Sequence, residues 1–221
     1  MSGGAMVGTV PIKPEYGPTL GGLLAPRWRR SSGLSRALAI ATGVALAVGV
    51  LGAVLTLWDA SFHREGPVPF HFSYTGLYAS TPEPGGYVRI ERLRGGRLED
   101  SFAVAPLRLP PYTGQLSGEL PLYAPVYVRA LAARRADFEL VGEGHSRLNT
   151  YYAYSVFYTT LFDGRRMFGR DVLLLPERPG VRDGVAISML TAPKANVLVT
   201  SPPLVASTGV LQKPLRTFTF E

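Results

Sequence analysis

Three histidines, one glycine-flanked acid and a group of arginines are the side chains of this sequence best equipped to do chemistry. His63, His71 and His145 could hold a metal through their ring nitrogens, but none has a partner at helical or hairpin spacing, so no metal site is expected. Gly142-Glu143-Gly144-His145 sets a carboxylate beside an imidazole, the pairing a hydrolase uses for proton transfer. A strand bulge accounts for the same glycines without chemistry, and that reading is preferred. Arg165, Arg166 and Arg170 follow an Asp163-Gly164 turn and form a candidate contact for an anionic headgroup, a glycan or a partner. Arginines there also blunt a solvated hairpin edge against aggregation. Tyr151, Tyr152, Tyr154, Phe157 and Tyr158 offer stacking faces for sugars, although alternating strand aromatics more often build core and cross-strand pairs. No nucleophile elbow, phosphate loop or paired-carboxylate motif occurs. With no cysteine among 221 residues, thiol chemistry and thiolate-ligated metals are excluded. The expectation is no catalytic residue, no cofactor and no metal.

The elements that must position these groups start from residues 37–58, ALAIATGVALAVGVLGAVLTLW, which carry no charge. At about 1.5 Å per residue they reach roughly 33 Å, enough for a hydrocarbon core of about 30 Å. A buried core helix would show a polar stripe, and none appears. The sequence therefore predicts a single membrane span. Before it lie Lys13, Arg27, Arg29, Arg30 and Arg36 against the single acid Glu15; after it Asp59, His63, Arg64 and Glu65 nearly cancel. Basic residues close to a span stay cytoplasmic, so the N-terminus is expected inside and the remainder outside. Trp28 and Trp58 bracket the run as headgroup anchors. The rival is a cleavable signal peptide, but the run exceeds the usual length of about 7 to 15 residues and lacks a small-x-small cleavage site.

The formal charge of +7 comes from 23 basic and 16 acidic residues, of which 18 and 15 follow the span. That small surplus argues against a nucleic-acid partner and fits a solvated face or one turned toward anionic lipid. The missing disulfides do not argue against export, because about 150 residues bury enough apolar surface without them. Abundant Arg, Ala and Gly with few Lys point to a GC-rich bacterial genome.

The expected division is a disordered cytoplasmic tail over 1–36, the span over 37–58, a polar linker over 59–69 and an extracytoplasmic α+β domain over 70–221. Within that domain, alternation predicts strands at 70–77, 87–93 and 100–107, the last two joined through Gly95-Gly96. A helix is expected over 121–138, with Tyr123, Val126, Tyr127, Ala130 and Leu131 on its apolar face and Pro125 in its first turn. Strands follow at 138–142, 151–161, 166–175 and 184–191, then a short helix over 201–212 and a closing strand over 215–220. This order, with Phe70 and Tyr74 at the opening, Phe102 before the helix, Asp163-Gly164 in the meander and Phe220 at the close, resembles the PsbP/Mog1-like fold family. The resemblance implies an antiparallel sheet covered by helices, and an accessory or interaction module rather than an enzyme. The function expected is a membrane-tethered extracytoplasmic binding or scaffold module that associates with another envelope or membrane protein. The alternatives are an anionic lipid or glycan binder using Arg165, Arg166 and Arg170, and an envelope hydrolase centred on Glu143 and His145.

Overall fold

The computed structural model describes residues 33–114, 116–177, 182–193, 195 and 197–221. The tail expected over 1–36 lies outside them, apart from 33–36, which already belong to helix α1 (Gly33–Leu57). Thr42 Oγ1 donates to the Leu38 carbonyl at 2.9 Å, the back-bond that hides a hydroxyl in an apolar helix. Among the described residues no helix is long and apolar enough to cross a membrane. The described chain divides into two units at Gly52/Ala53, and the second runs from Ala53 to Glu221.

The second unit is an antiparallel α+β structure. A three-stranded sheet has the order β1 (Asp59–Arg64), β2 (Phe70–Thr75), β10 (Thr219–Phe220). A seven-stranded sheet runs β3 (Ala79–Thr81), β4 (Val88–Arg94), β5 (Arg97–Arg108), β9 (Asp183–Thr191), β8 (Arg165–Leu174), β7 (Tyr151–Phe162), β6 (Ala136–Leu148). Strand β1 corrects the linker expected over 59–69: its alternating Ala60 and Phe62 pack against the core, and Gly66, with positive φ, lies in the turn into β2. Tight turns fall where glycines permit them. Gly95 and Gly96 join β4 to β5, and Asp163 and Gly164 join β7 to β8, all four with positive φ.

Helix α2 (Leu116–Arg134) covers one face of the large sheet. It begins before the expected position, so Pro125 lies in its interior rather than its first turn. The buried row is Leu120, Ala124, Tyr127 and Leu131; Val126 and Ala130, expected on the apolar face, are exposed. The ring of Pro125 points to the solvated side, where a missing backbone donor is least costly. The other face of the sheet packs Ile90, Phe102, Ile187 and Met189 against Phe70 and Phe72 of the small sheet and Phe218. The helix expected over 201–212 is instead a 3₁₀ turn (Pro202–Leu204) followed by a separate short helix α3 (Gln212–Arg216), with Ser201 making no side-chain cap. The closing strand shrinks accordingly to β10.

Candidate functional site

Across the helix-facing side of the large sheet, one row of opposed residues runs Asp171 on β8, Ser188 on β9, Ala103 on β5 and Arg89 on β4. Asp171 is fully buried, in a strand that also carries Arg165, Arg166 and Arg170. Its carboxyl accepts three hydroxyl donors: Tyr127 at 2.6 Å on Oδ2, and Tyr158 at 2.9 Å and Ser188 at 2.7 Å on Oδ1. Arg135 donates to Ser188 Oγ at 3.2 Å, so the serine relays the cation toward the carboxylate. Burial holds the Asp171 carboxyl above the usual carboxylate range, with the hydroxyls and the Arg135 charge acting in the opposite direction. Burial and the neighbouring Asp171 together push the Tyr127 and Tyr158 phenols far up, so both stay neutral donors. Tyr158 reaches this position because its cross-strand neighbour is Gly169; a Cβ there would run into the tyrosine ring.

A cavity of about 270 Å³ opens beside the carboxyl, because Ala103, Ala105 and Ala186 leave the space under Leu131 unfilled. Arg134 and Arg135 lie on its rim, and Arg89 lies on the far wall, tied to Glu83 and to Glu91 at 3.1 Å. The three donors fill most of the roughly four acceptor positions of a carboxylate. The arrangement therefore fixes α2 onto β7, β8 and β9, and leaves the cavity as a small polar-walled recess. Of the four residues in the node, Tyr127 and Tyr158 are legible in the sequence as aromatic core positions only. Asp171 gives no local signal, because it follows Arg170 in a strand that also carries Arg165 and Arg166.

The arginines do not share an opening. Arg166 pairs with Asp137 at 2.9 Å and Glu139 at 3.1 Å on the exposed edge. Arg170, on the same face, donates to the Val205 carbonyl and Ser207 Oγ, each at 3.2 Å, and lies 5.4 Å from the Phe157 ring. Its Nε has no hydrogen-bond partner among the described residues, and burial pulls its pKa down. Arg165 takes the other face, beside Leu98 and Phe162. Glu143 and His145 are exposed on edge strand β6, next to a bulge at Val141, and the imidazole packs edge-on against Tyr154 at 5.8 Å. Tyr154 and Tyr158 are core, and Tyr152 lies under Arg147 at 4.9 Å across the β6–β7 pair.

The histidines are where spacing misleads. His63 and His71 sit directly opposite each other on β1 and β2, and Glu221 follows β10 on the other side of β2. Glu221 Oε1 lies 3.0 Å from His63 Nδ1 and 2.8 Å from His71 Nδ1, with all three side chains solvent-accessible. His145 takes no part.

No protein-family model and no curated protein sequence matches the chain. Solved structures do. LpqN of Mycobacterium tuberculosis is similar at a TM-score of 0.50 and 10% identity, covering 74% of this chain and 90% of LpqN. Cyanobacterial PsbP from Synechocystis sp. PCC 6803 is similar at 0.48 and 13%, covering 74% and 92%. The Ran-binding protein Mog1p of Saccharomyces cerevisiae is similar at 0.45 and 11%, covering 73% and 95%. The chain has a PsbP/Mog1-like fold. At such identities the likeness speaks for fold alone.

Proposed function

We propose that this chain is a single-pass, membrane-tethered extracytoplasmic module that binds another envelope or membrane protein and is not an enzyme. One observation carries the reading. Along α1 the large apolar side chains, among them Leu38, Ile40, Val44, Leu46, Leu51 and Val54, are each more than half exposed, with no charged residue from 37 to 58. Such a surface on a 25-residue helix supports placement in lipid rather than in water. The basic flank before it and the nearly neutral flank after it support a cytoplasmic N-terminus. The binding role is supported by the fold likeness to LpqN, a protein involved in cell envelope biogenesis.

The test is a reporter active only outside the cytoplasm, fused after Glu221, followed by crosslinking and detergent pull-down of the tagged chain. An active reporter and a stoichiometric membrane-protein partner are expected. An inactive reporter together with an active N-terminal fusion reverses the orientation, and a solitary monomer under crosslinking removes the partner.

A further inference from the structure

We propose that His63, His71 and Glu221 form a binding site for a first-row divalent metal ion of the zinc type, on the outer face of the three-stranded sheet. Two imidazoles and a carboxylate are a donor set suited to zinc and its neighbours, and a poor one for magnesium or calcium, which prefer oxygen ligands. The three donors come from three different strands, and backbone pairing brings them together. His63 faces His71 across β1–β2, and the Glu221 amide donates to the Pro69 carbonyl, carrying the β2–β10 pairing one residue past its end. Because the side chains alternate, all three project from the face opposite Phe62, Phe70, Phe72 and Phe220, which hold the backbone of the site rigid from below.

The ligating atoms lie within 4.8 Å of one another, and two of the separations are 2.8 and 3.0 Å. Bonds of about 2.0–2.1 Å in a tetrahedral site put neighbouring ligand atoms roughly 3.3 Å apart. The carboxylate oxygen must therefore withdraw by a few tenths of an ångström and the two rings close toward each other. Half-exposed side chains make both changes by small rotations. The imidazole planes lie within 21° of parallel with centroids 6.5 Å apart, so each ring must also tilt for its nitrogen lone pair to point at a shared ion. On the neighbouring segments, Arg64 lies over the Tyr87 ring at 3.8 Å and donates to the Val68 carbonyl, and Lys213 pairs with Asp59. With three protein ligands the ion keeps an open position for water or for a donor from a partner. The site would also pin the two-residue strand β10 to β1 and β2, so that metal loading bears on the stability of the whole small sheet.

The test is calorimetric titration of the full chain in detergent with Zn²⁺, and with Mg²⁺ as the control ion. One Zn²⁺ per chain is expected, with negligible Mg²⁺ binding and a rise in Tm of roughly 5 °C or more at a hundredfold excess over Kd. His71→Asn and Glu221→Gln should each weaken zinc binding at least tenfold while leaving the metal-free Tm within a few degrees, since all three side chains are exposed. His145→Asn, which removes the remaining histidine, should change nothing. Zinc affinity that survives the His63→Asn/His71→Asn double variant, or equal binding of Mg²⁺, overturns the site. So does an absence of zinc binding, which would leave the three groups a surface hydrogen-bond cluster.

Discussion

The two faces of the seven-stranded sheet are held down by different physics. On one, Phe102, Ile187 and Met189 meet Phe70, Phe72 and Phe218 with ring centroids 5.0 Å apart for Phe72–Phe102 and 5.2 Å for Phe70–Phe218. The contacts there are mostly apolar, with directional ones at the margins: buried Asp100 accepts from Thr191 at 2.6 Å and from Arg92 at 2.7 Å, and Arg170 donates to the Val205 carbonyl. On the other face, α2 is fixed by Tyr127, Tyr158 and Ser188 converging on Asp171, and a cavity remains beside them. An apolar contact tolerates a shift of some tenths of an ångström, whereas three hydroxyls on one carboxyl specify where the helix lies. Both faces bury an apolar cluster, and on the helix face the Asp171 node adds directional contacts that fix register.

The largest effect should come from turning the polar node against itself. Tyr127→Asp removes a donor and places a second carboxyl against Asp171 in a buried site. We expect a loss of about 5 kcal/mol or more, read as a collapse of Tm or failure to fold. Tyr127→Phe, which keeps the ring, should cost about 1–3 kcal/mol. An unchanged Tm in Tyr127→Asp would show that the helix does not depend on the node and would dissolve the contrast between the faces.

The contrast also governs what can be read from the chain. The β4–β5 and β7–β8 hairpins are legible because alternation and Gly-containing turns are local signals, and strand β9 because Val185, Ile187 and Met189 alternate. Helix α2 is legible as a helix, but its face is read roughly 60° off: Tyr127 and Leu131 are buried as expected, whereas Val126 fits a 3.6-residue period as well as Ala124 does and only the sheet beneath selects the smaller residue. Strand β1 is hidden by its polar composition, and the loss propagates. Without β1 there is no hairpin between 59 and 75, so His63 and His71 appear unpartnered although they are directly opposite. Asp171 and Ser188 stay invisible for a related reason: one lone acid and one serine acquire meaning only when pairing sets them side by side.

A smaller effect tests the node by pH. Asp171 titrates near its ordinary 3.8 in the unfolded chain and higher when folded, so between those values the native state holds the additional proton. The contribution of this group to stability is thus complete below the unfolded pKa and declines as pH rises through the folded one. Asp171→Asn removes the titration. The difference in Tm, wild type minus Asp171→Asn, should therefore grow as pH is lowered from 7 toward 4. A difference that stays flat, or shrinks, would mean that the carboxyl titrates alike in both states and that its three donors fully offset its burial.

The smallest effects belong to the arginine hairpin, where the two faces meet solvent. Arg166 is half-exposed and its partners Asp137 and Glu139 are more so, which leaves the pair screened and weak. Replacing Arg165 or Arg166 with Gln should move stability by less than about 0.5 kcal/mol per site. Arg170→Gln should cost more than either, because this guanidinium ties β8 to Val205 and Ser207. If the hairpin is only an edge protected by charge, the triple Gln variant binds anionic vesicles and the membrane partner as the wild type does, at both low and high salt. The opposite result, binding lost in Arg165→Gln/Arg166→Gln while Tm holds, would assign recognition to this edge. Arg166 would then have to release Asp137 and Glu139 in order to bind.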